Sequence, residues 1–214
     1  MQMKKLVCDP LSVNTYIIHE DNGKDCVVID PGVAEPVLTY LRNMHLRCSH
    51  LLLTHGHYDH VLGVAALQKS TGAKVFIHRE DDGYLHSGDV PRIVYDGYVM
   101  ESCTPDGFVD DGDILYAAGL ELRVIHVPGH TLGSVCYLIE KARMIFTGDT
   151  IFHQDAGRAD SQKSSYAMLY GSIVNKLFTL QGEYTLYPGH MEEGSLEEER
   201  RNNPFVRYWR RIQE

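Results

Sequence analysis

Residues Thr54–His60 read THGHYDH and follow the apolar run Ser49–Leu53, SHLLL. A short, nearly continuous apolar run of this kind predicts a strand buried on both faces, over Ser49–Thr54. The polar stretch therefore sits at a strand end, held by a rigid scaffold. It supplies His55, His57, Asp59 and His60. Imidazole and carboxylate are the ligand types that suit zinc and other first-row divalent ions. In an extended segment alternate residues share a face, so His55 and His57 can reach one ion together. Asp59 and His60 lie past the bend and can reach a second.

Three further stretches repeat the arrangement. Pro128–His130 (PGH) follows LRVIHV, Gly148–Asp149 (GD) follows MIFT, and Pro188–His190 (PGH) follows YTLY. Each pairs a ligand type with a glycine, which lets the backbone turn sharply. Adding His130, Asp149 and His190 brings the set to five histidines and two aspartates. That is one carboxylate able to bridge and three ligands for each of two ions, with positions left open for water. The remaining histidines, His19, His45, His50, His78, His86, His126 and His153, are expected to be structural. His126 lies on the strand LRVIHV, where packing or a hydrogen bond is its expected role. His153 follows Asp149 closely and is a candidate for lining the pocket.

Composition narrows the class. The chain has 214 residues, 43% of them apolar and 23% charged. These values suit one ordinary globular domain, expected to span 1–214, and exclude disordered and collagenous classes. Twenty Lys+Arg against 29 Asp+Glu give a formal charge of −9. That balance disfavours binding to a nucleic acid backbone. The five cysteines, Cys8, Cys26, Cys48, Cys103 and Cys136, form no CxxC pair. An odd count without that spacing excludes a disulfide framework and a cysteine-based zinc site, and fits a reducing compartment. The N-terminus MQMKKLVCDPLSVNTY has no apolar stretch of signal-peptide length, and no run approaches the ~20 residues that span a bilayer. A cytoplasmic location and no membrane partner are the expectation.

Strands are predicted over Thr15–His19, Asp25–Asp30, Lys74–His78, Ile114–Tyr116, Leu120–Val127, Ser134–Ile139, Met144–Phe146 and Tyr184–Tyr187. Helices are predicted over Glu35–Met44, Val61–Ser70, Ser164–Leu180 and Leu196–Arg210, the last interrupted near Pro204. Arg79–Asp106, rich in Gly, Asp and Tyr, reads as a variable loop with one short helix. Strands and helices alternate in each half, which predicts a layered α/β protein with helices outside packed sheets.

The series HxHxDH, PGHT, GDT and PGH resembles the metallo-β-lactamase-fold hydrolases, in particular their glyoxalase II-like branch. The resemblance runs from about Asn14 to Pro204 and includes NTYII, VIDPG, LTHGHYDH, VPGHTLGS, FTGDTIF, AGRAD and YPGH. It implies a four-layer αββα fold with two packed mixed sheets. It implies that His55, His57 and His130 bind one metal, that Asp59, His60 and His190 bind a second, and that Asp149 bridges both. It also implies two divalent ions, zinc first and iron or manganese next. A water shared by two such ions is acidified toward neutral pH and becomes the nucleophile. The implied substrate is a small-molecule acyl thioester, and the implied role of Asp59 is to orient the nucleophile. Arg158 and Asp160 of AGRAD resemble a loop near the active site, with Arg158 a candidate substrate contact beside His153. About two dozen residues follow His190. That points to the short, single-domain branch, without the helical domain that helps hold glutathione in longer members. Persulfide dioxygenases of the same fold are the alternative, with one iron on His55, His130 and Asp149. A non-enzymatic metal-binding module is a third.

Overall fold

Hydrophobic alternation builds two sheets whose shared faces meet. The computed structural model describes residues 1–86, 100–159 and 164–213. Strands β1 (Gln2–Cys8), β2 (Val13–His19) and β3 (Asp25–Ile29) form an antiparallel meander. Helix α1 (Ala34–Met44) then crosses to β4 (Arg47–Leu52), which lies parallel to β3. Helices α2 (Tyr58–Val61) and α3 (Val64–Thr71) lead to β5 (Lys74–His78), and β6 (Gly107–Val109) closes the first sheet in the order β1–β2–β3–β4–β5–β6.

The second sheet contains β7 (Ile114–Ala117), β8 (Leu120–His126), β9 (Val135–Ile139) and β10 (Met144–Gly148). The small hairpin β11 (Ile151–Phe152) and β12 (Asp155–Ala156) stands apart from it. Helix α4 (Tyr166–Ser172) is followed by β13 (Thr185–Pro188), β14 (Gly194–Ser195), α5 (Leu196–Asn202) and α6 (Pro204–Gln213). The sheet order is β14–β13–β10–β9–β8–β7, and among the described residues only β10 and β13 pair in parallel within it.

Period-two patterning explains the layers. Tyr16 and Ile18 of β2, Val27 and Ile29 of β3, Tyr137 of β9 and Phe146 of β10 all face the space between the sheets. Their neighbours Ile17, Cys26 and Val28 face the other way, onto Val37 and Leu41 of α1 and Val64 and Leu67 of α3. On the far side Cys136, Leu138 and Ile145 pack on Leu169, Ile173, Leu177 and Leu196. The result is the αββα sandwich. The expected elements are present, with shifted ends. Two expected helices are broken. Val61–Ser70 splits at Leu62–Gly63, where Gly63 N–H donates to the Pro31 carbonyl at 2.9 Å and leaves the helical ladder. Ser164–Leu180 becomes α4 and then a π-turn over Ile173–Leu177. Its buried residues Leu169, Ile173 and Leu177 recur every four positions. That repeat is longer than the 3.6 of an α-helix, and a wider turn absorbs the difference. In the stretch expected to be a variable loop, a 3-10 segment spans Arg79–Leu85; residues 87–99 lie outside those described. Among the described residues no helix is long and apolar enough to cross a membrane.

Candidate metal centre

The ends of β4, β8, β10 and β13 converge, and so do the seven side chains that follow them. His55, His57 and His130 bring their ligand atoms within 4.8 Å of one another, and Asp59, His60 and His190 do the same. Asp149 lies between the two sets. Its Oδ1 is 3.4 Å from His60 Nε2, and its Oδ2 is 3.6 Å from Nε2 of both His130 and His190. His60 Nε2 and His190 Nε2 are 3.3 Å apart, and Asp59 Oδ2 is 3.2 Å from His190 Nε2.

The imidazoles are oriented from behind. Thr54 Oγ1 donates to Asp30 Oδ2 at 2.6 Å, so toward His55 Nδ1, 3.0 Å away, it accepts. His130 Nδ1 donates to the Arg158 carbonyl at 2.7 Å, and His60 Nδ1 donates to Asp30 Oδ2 at 3.0 Å. With the proton on Nδ1, Nε2 of His55 and of His130 turns a lone pair to the centre, the tautomer a metal requires, and Nε2 of His60 offers one once its second proton is displaced. Among the described residues, His55 Nε2, His130 Nε2 and Asp149 Oδ1 are buried without a hydrogen-bond partner. Buried polar atoms are seldom left so, because the desolvation is uncompensated. Lone pairs converging from nitrogen and oxygen fit divalent cations. Asp30, His55 and His60 also lie close together. They do not form a third such set, because Asp30 already accepts from Thr54 N, Thr54 Oγ1 and His60 Nδ1.

Electrostatics agree. Burial, then the neighbouring imidazoles, push His55 well below the ordinary histidine value and His57 down to about 4. Both imidazoles are therefore neutral at pH 7. Burial would also lower His60 and His190, but Asp149, Asp30 and Asp59 outweigh it and hold both above the ordinary value. Burial would raise Asp149, yet His60, His130 and His190 keep its carboxyl below the usual range. Gly189 makes the packing possible. A Cβ there would stand 2.3 Å from Asp149 Oδ1 and 2.5 Å from His60 Cε1. The loop carrying His190 is held by Asn14, whose Nδ2 donates to the Pro188 and Met191 carbonyls at 2.9 Å, and by Tyr16 OH, which donates to Pro188 O at 2.7 Å.

All seven expected ligand residues thus meet in one place. His153 lies in the β11–β12 turn, with Nδ1 3.3 Å from the buried Glu199 Oε1. Arg158 reaches His130 through its backbone carbonyl. Asp160 lies outside the described residues. His126 is a packed residue, stacked on His78 at 4.1 Å with Nε2 2.8 Å from Leu132 O. Sequence reasoning did not single out Asp30, Thr54 or Asp81 as functional. The first two lie inside the quoted stretches VIDPG and LTHGHYDH; Asp81, in an acidic run, carries no comparable signal.

The model of the metallo-β-lactamase superfamily matches residues 8–190. The chain belongs to that superfamily. Among its relatives, an uncharacterised protein of Mycobacterium leprae is 35% identical over 92% of this chain and 94% of its own length. Hydroxyacylglutathione hydrolase GloC of Haemophilus influenzae is 32% identical over 87% of this chain and 89% of its own. Three solved structures extend the likeness to the metallo-β-lactamase fold itself. BLEG-1 B3 metallo-β-lactamase has a TM-score of 0.88 at 29% identity, covering 96% of this chain and 99% of the other. TTHA1623 in a di-iron-bound form has a TM-score of 0.84 at 29% identity, covering 94% and 99%. ETHE1 from Myxococcus xanthus has a TM-score of 0.79 at 30% identity, covering 99% and 91%.

Proposed function

We propose that the protein is a binuclear metallohydrolase that cleaves a small-molecule acyl thioester of the hydroxyacylglutathione kind. The position of Asp149 between two three-residue sets carries this proposal. The likeness to GloC supports the substrate class. His55, His57 and His130 would hold one ion, Asp59, His60 and His190 the other, and Asp149 would bridge them. Bound divalent cations supply Lewis acidity and a nucleophile at neutral pH. Zinc suits the donor set, and the di-iron form of TTHA1623 supports iron as the other choice. The chain's own groups do the rest. Asp30, Thr54 and the Arg158 carbonyl fix the imidazole tautomers. Asp59 orients the attacking water by accepting its hydrogen bond. His153 and Arg158 contact the substrate at the rim. A thiolate leaves without strong acid help, so the site needs no dedicated general acid. The protein would act as one domain, in the cytoplasm, on a small molecule rather than a nucleic acid or a membrane.

Metal analysis of anaerobically purified protein, paired with thiol release from a thioester panel, tests the proposal. Two ions per chain and metal-dependent hydrolysis are expected, with both lost in Asp149→Ala. Full activity in that variant would contradict a bridged pair. The likeness to ETHE1 favours a second reading, a persulfide dioxygenase with one iron on His55, His130 and Asp149. One iron per chain, oxygen consumption with glutathione persulfide and no hydrolysis would establish it instead.

A further inference from the structure

Asp81 lies in the 3-10 segment after β5 and is 1% exposed. Both of its oxygens are engaged. Oδ2 accepts from Gly56 N–H at 2.9 Å and from the Thr131 hydroxyl at 2.7 Å, and Oδ1 accepts from Gly133 N–H at 2.8 Å. Gly56 separates His55 from His57, and Thr131 follows His130. One carboxylate therefore ties together the two loops that carry the three-histidine set. Three residues on, Tyr84 lays its ring across Gly56, where a Cβ would meet it at 2.5–2.6 Å. The same ring meets His57 edge-on at 5.7 Å and 88°. None of these hydrogen bonds reaches Asp59, His60 or His190.

A carboxylate in this position is not needed for packing. Burial raises its pKa despite the three donors, and a buried charge is costly unless fully compensated. Its geometric effect is specific, because it sets the spacing of two loops from different sheets. We infer that Asp81 is a positioning residue that holds His55, His57 and His130 in register for one ion of the pair. This rests on the metal-centre reading given above. Groups behind metal ligands of this kind typically change metal affinity by about 10- to 100-fold.

The test uses metal-free full-length protein titrated with Zn²⁺ against a chromophoric chelator, resolving the two binding steps, with the melting temperature recorded for each metal-free variant. His57→Ala and His190→Ala calibrate which step belongs to which set. Asp81→Asn keeps the shape and removes one acceptor. Thr131→Val removes the hydroxyl that donates to Asp81 and pairs with Ser134 Oγ, and Thr131→Ser restores it, so the test survives if Asp81→Asn does not fold. Asp81→Asn and Thr131→Val should weaken the step lost in His57→Ala by about 10- to 100-fold. The step lost in His190→Ala should keep its affinity, and Thr131→Ser should rebind normally. Equal weakening of both steps, or wild-type affinity at both in Thr131→Val, would overturn the inference. Should His57→Ala itself leave both steps intact, the metal-centre reading fails and the inference with it.

Discussion

Asp30 accepts a hydrogen bond from Nδ1 of His60 at 3.0 Å, with both side chains buried. Through Thr54 the same carboxylate reaches His55, so one group behind the centre sets a histidine of each set. Asp30→Ala would strand the Thr54 N–H and the His60 Nδ1–H in the interior. Breaking a buried pair of this kind costs about 3–5 kcal/mol. Metal affinity should fall by about 10- to 100-fold as well. Asp30→Asn keeps the acceptor for Thr54 N but offers an amide donor to His60. It should lose less stability while losing comparable affinity. Urea unfolding of the metal-free proteins and chelator competition separate the two effects; unchanged affinity in both variants would remove Asp30 from the site.

Gly189→Ala should damage the centre without disturbing the core. The added methyl would stand 2.3 Å from the Asp149 carboxylate and 2.5 Å from the His60 ring, and either contact forces that side chain to move. A displacement near 1 Å at a reacting centre costs about 100-fold in rate. Gly194→Ala is the control, since its nearest neighbours lie at 3.7 Å. The expected result is lowered turnover and metal content in the first variant only. Equal metal content and turnover in both would contradict the packing described for the 188–190 loop.

Much of this was legible in the chain itself. The strands around the site were readable because β10 and the C-terminal end of β4 are buried on both faces and their apolar runs end abruptly in His, Gly and Asp. The seven residues that converge at the candidate site were readable because each follows a strand end. Strand β1 was not, since it is an edge strand with the pattern QMKKLVC and only Cys8 fully buried. Nor was β6, three residues that become a strand only by pairing with β5. The carboxylates behind the site were hidden for a related reason. Asp81 lies 25 residues from Gly56 and 50 from Thr131 along the chain, so no local spacing announces that they meet. Its role depends on the two sheets being packed.

The metal-free protein should have a stability maximum in pH near the free-histidine value. His60 and His190 are raised in the folded state. Their contribution is fully present below the unfolded value of 6.5 and is lost as pH rises through the folded values. His57, lowered to about 4, acts in the opposite sense, as does His55. Below 6.5 the unfolded chain takes up protons that the folded chain refuses, so stability falls as pH drops from 6.5 toward 4. Bound cations replace the protons on His60 and His190 and should remove the loss above 6.5. Melting temperatures of chelator-treated and zinc-loaded protein between pH 5 and 9 check this, since the gap between them must widen as pH rises above 6.5. A constant gap over that range would show that these histidines are not the groups displaced.

Glu199 should prove the anchor of the C-terminal helices to the site. It is fully buried on α5 and accepts from Gln154 N–H at 3.1–3.2 Å and from Asn203 Nδ2 at 2.7 Å. Gln154 is the turn residue of the β11–β12 hairpin that follows Asp149, and its φ of 58° is one that side-chain-bearing residues adopt only when held. Asn203 in turn donates to the Asp155 carbonyl at 3.0 Å and accepts from Val206 N at the start of α6. Glu199→Ala leaves these donors unpaired in the interior, at a cost of about 1–3 kcal/mol. Asn203→Ala removes the cap of α6 and costs about 0.5–2 kcal/mol. Because the two residues share a hydrogen bond, the double variant should lose less than the sum of the singles. Equilibrium unfolding of the four proteins measures that coupling. Strict additivity would mean that Glu199 and Asn203 hold the helices independently rather than through one another.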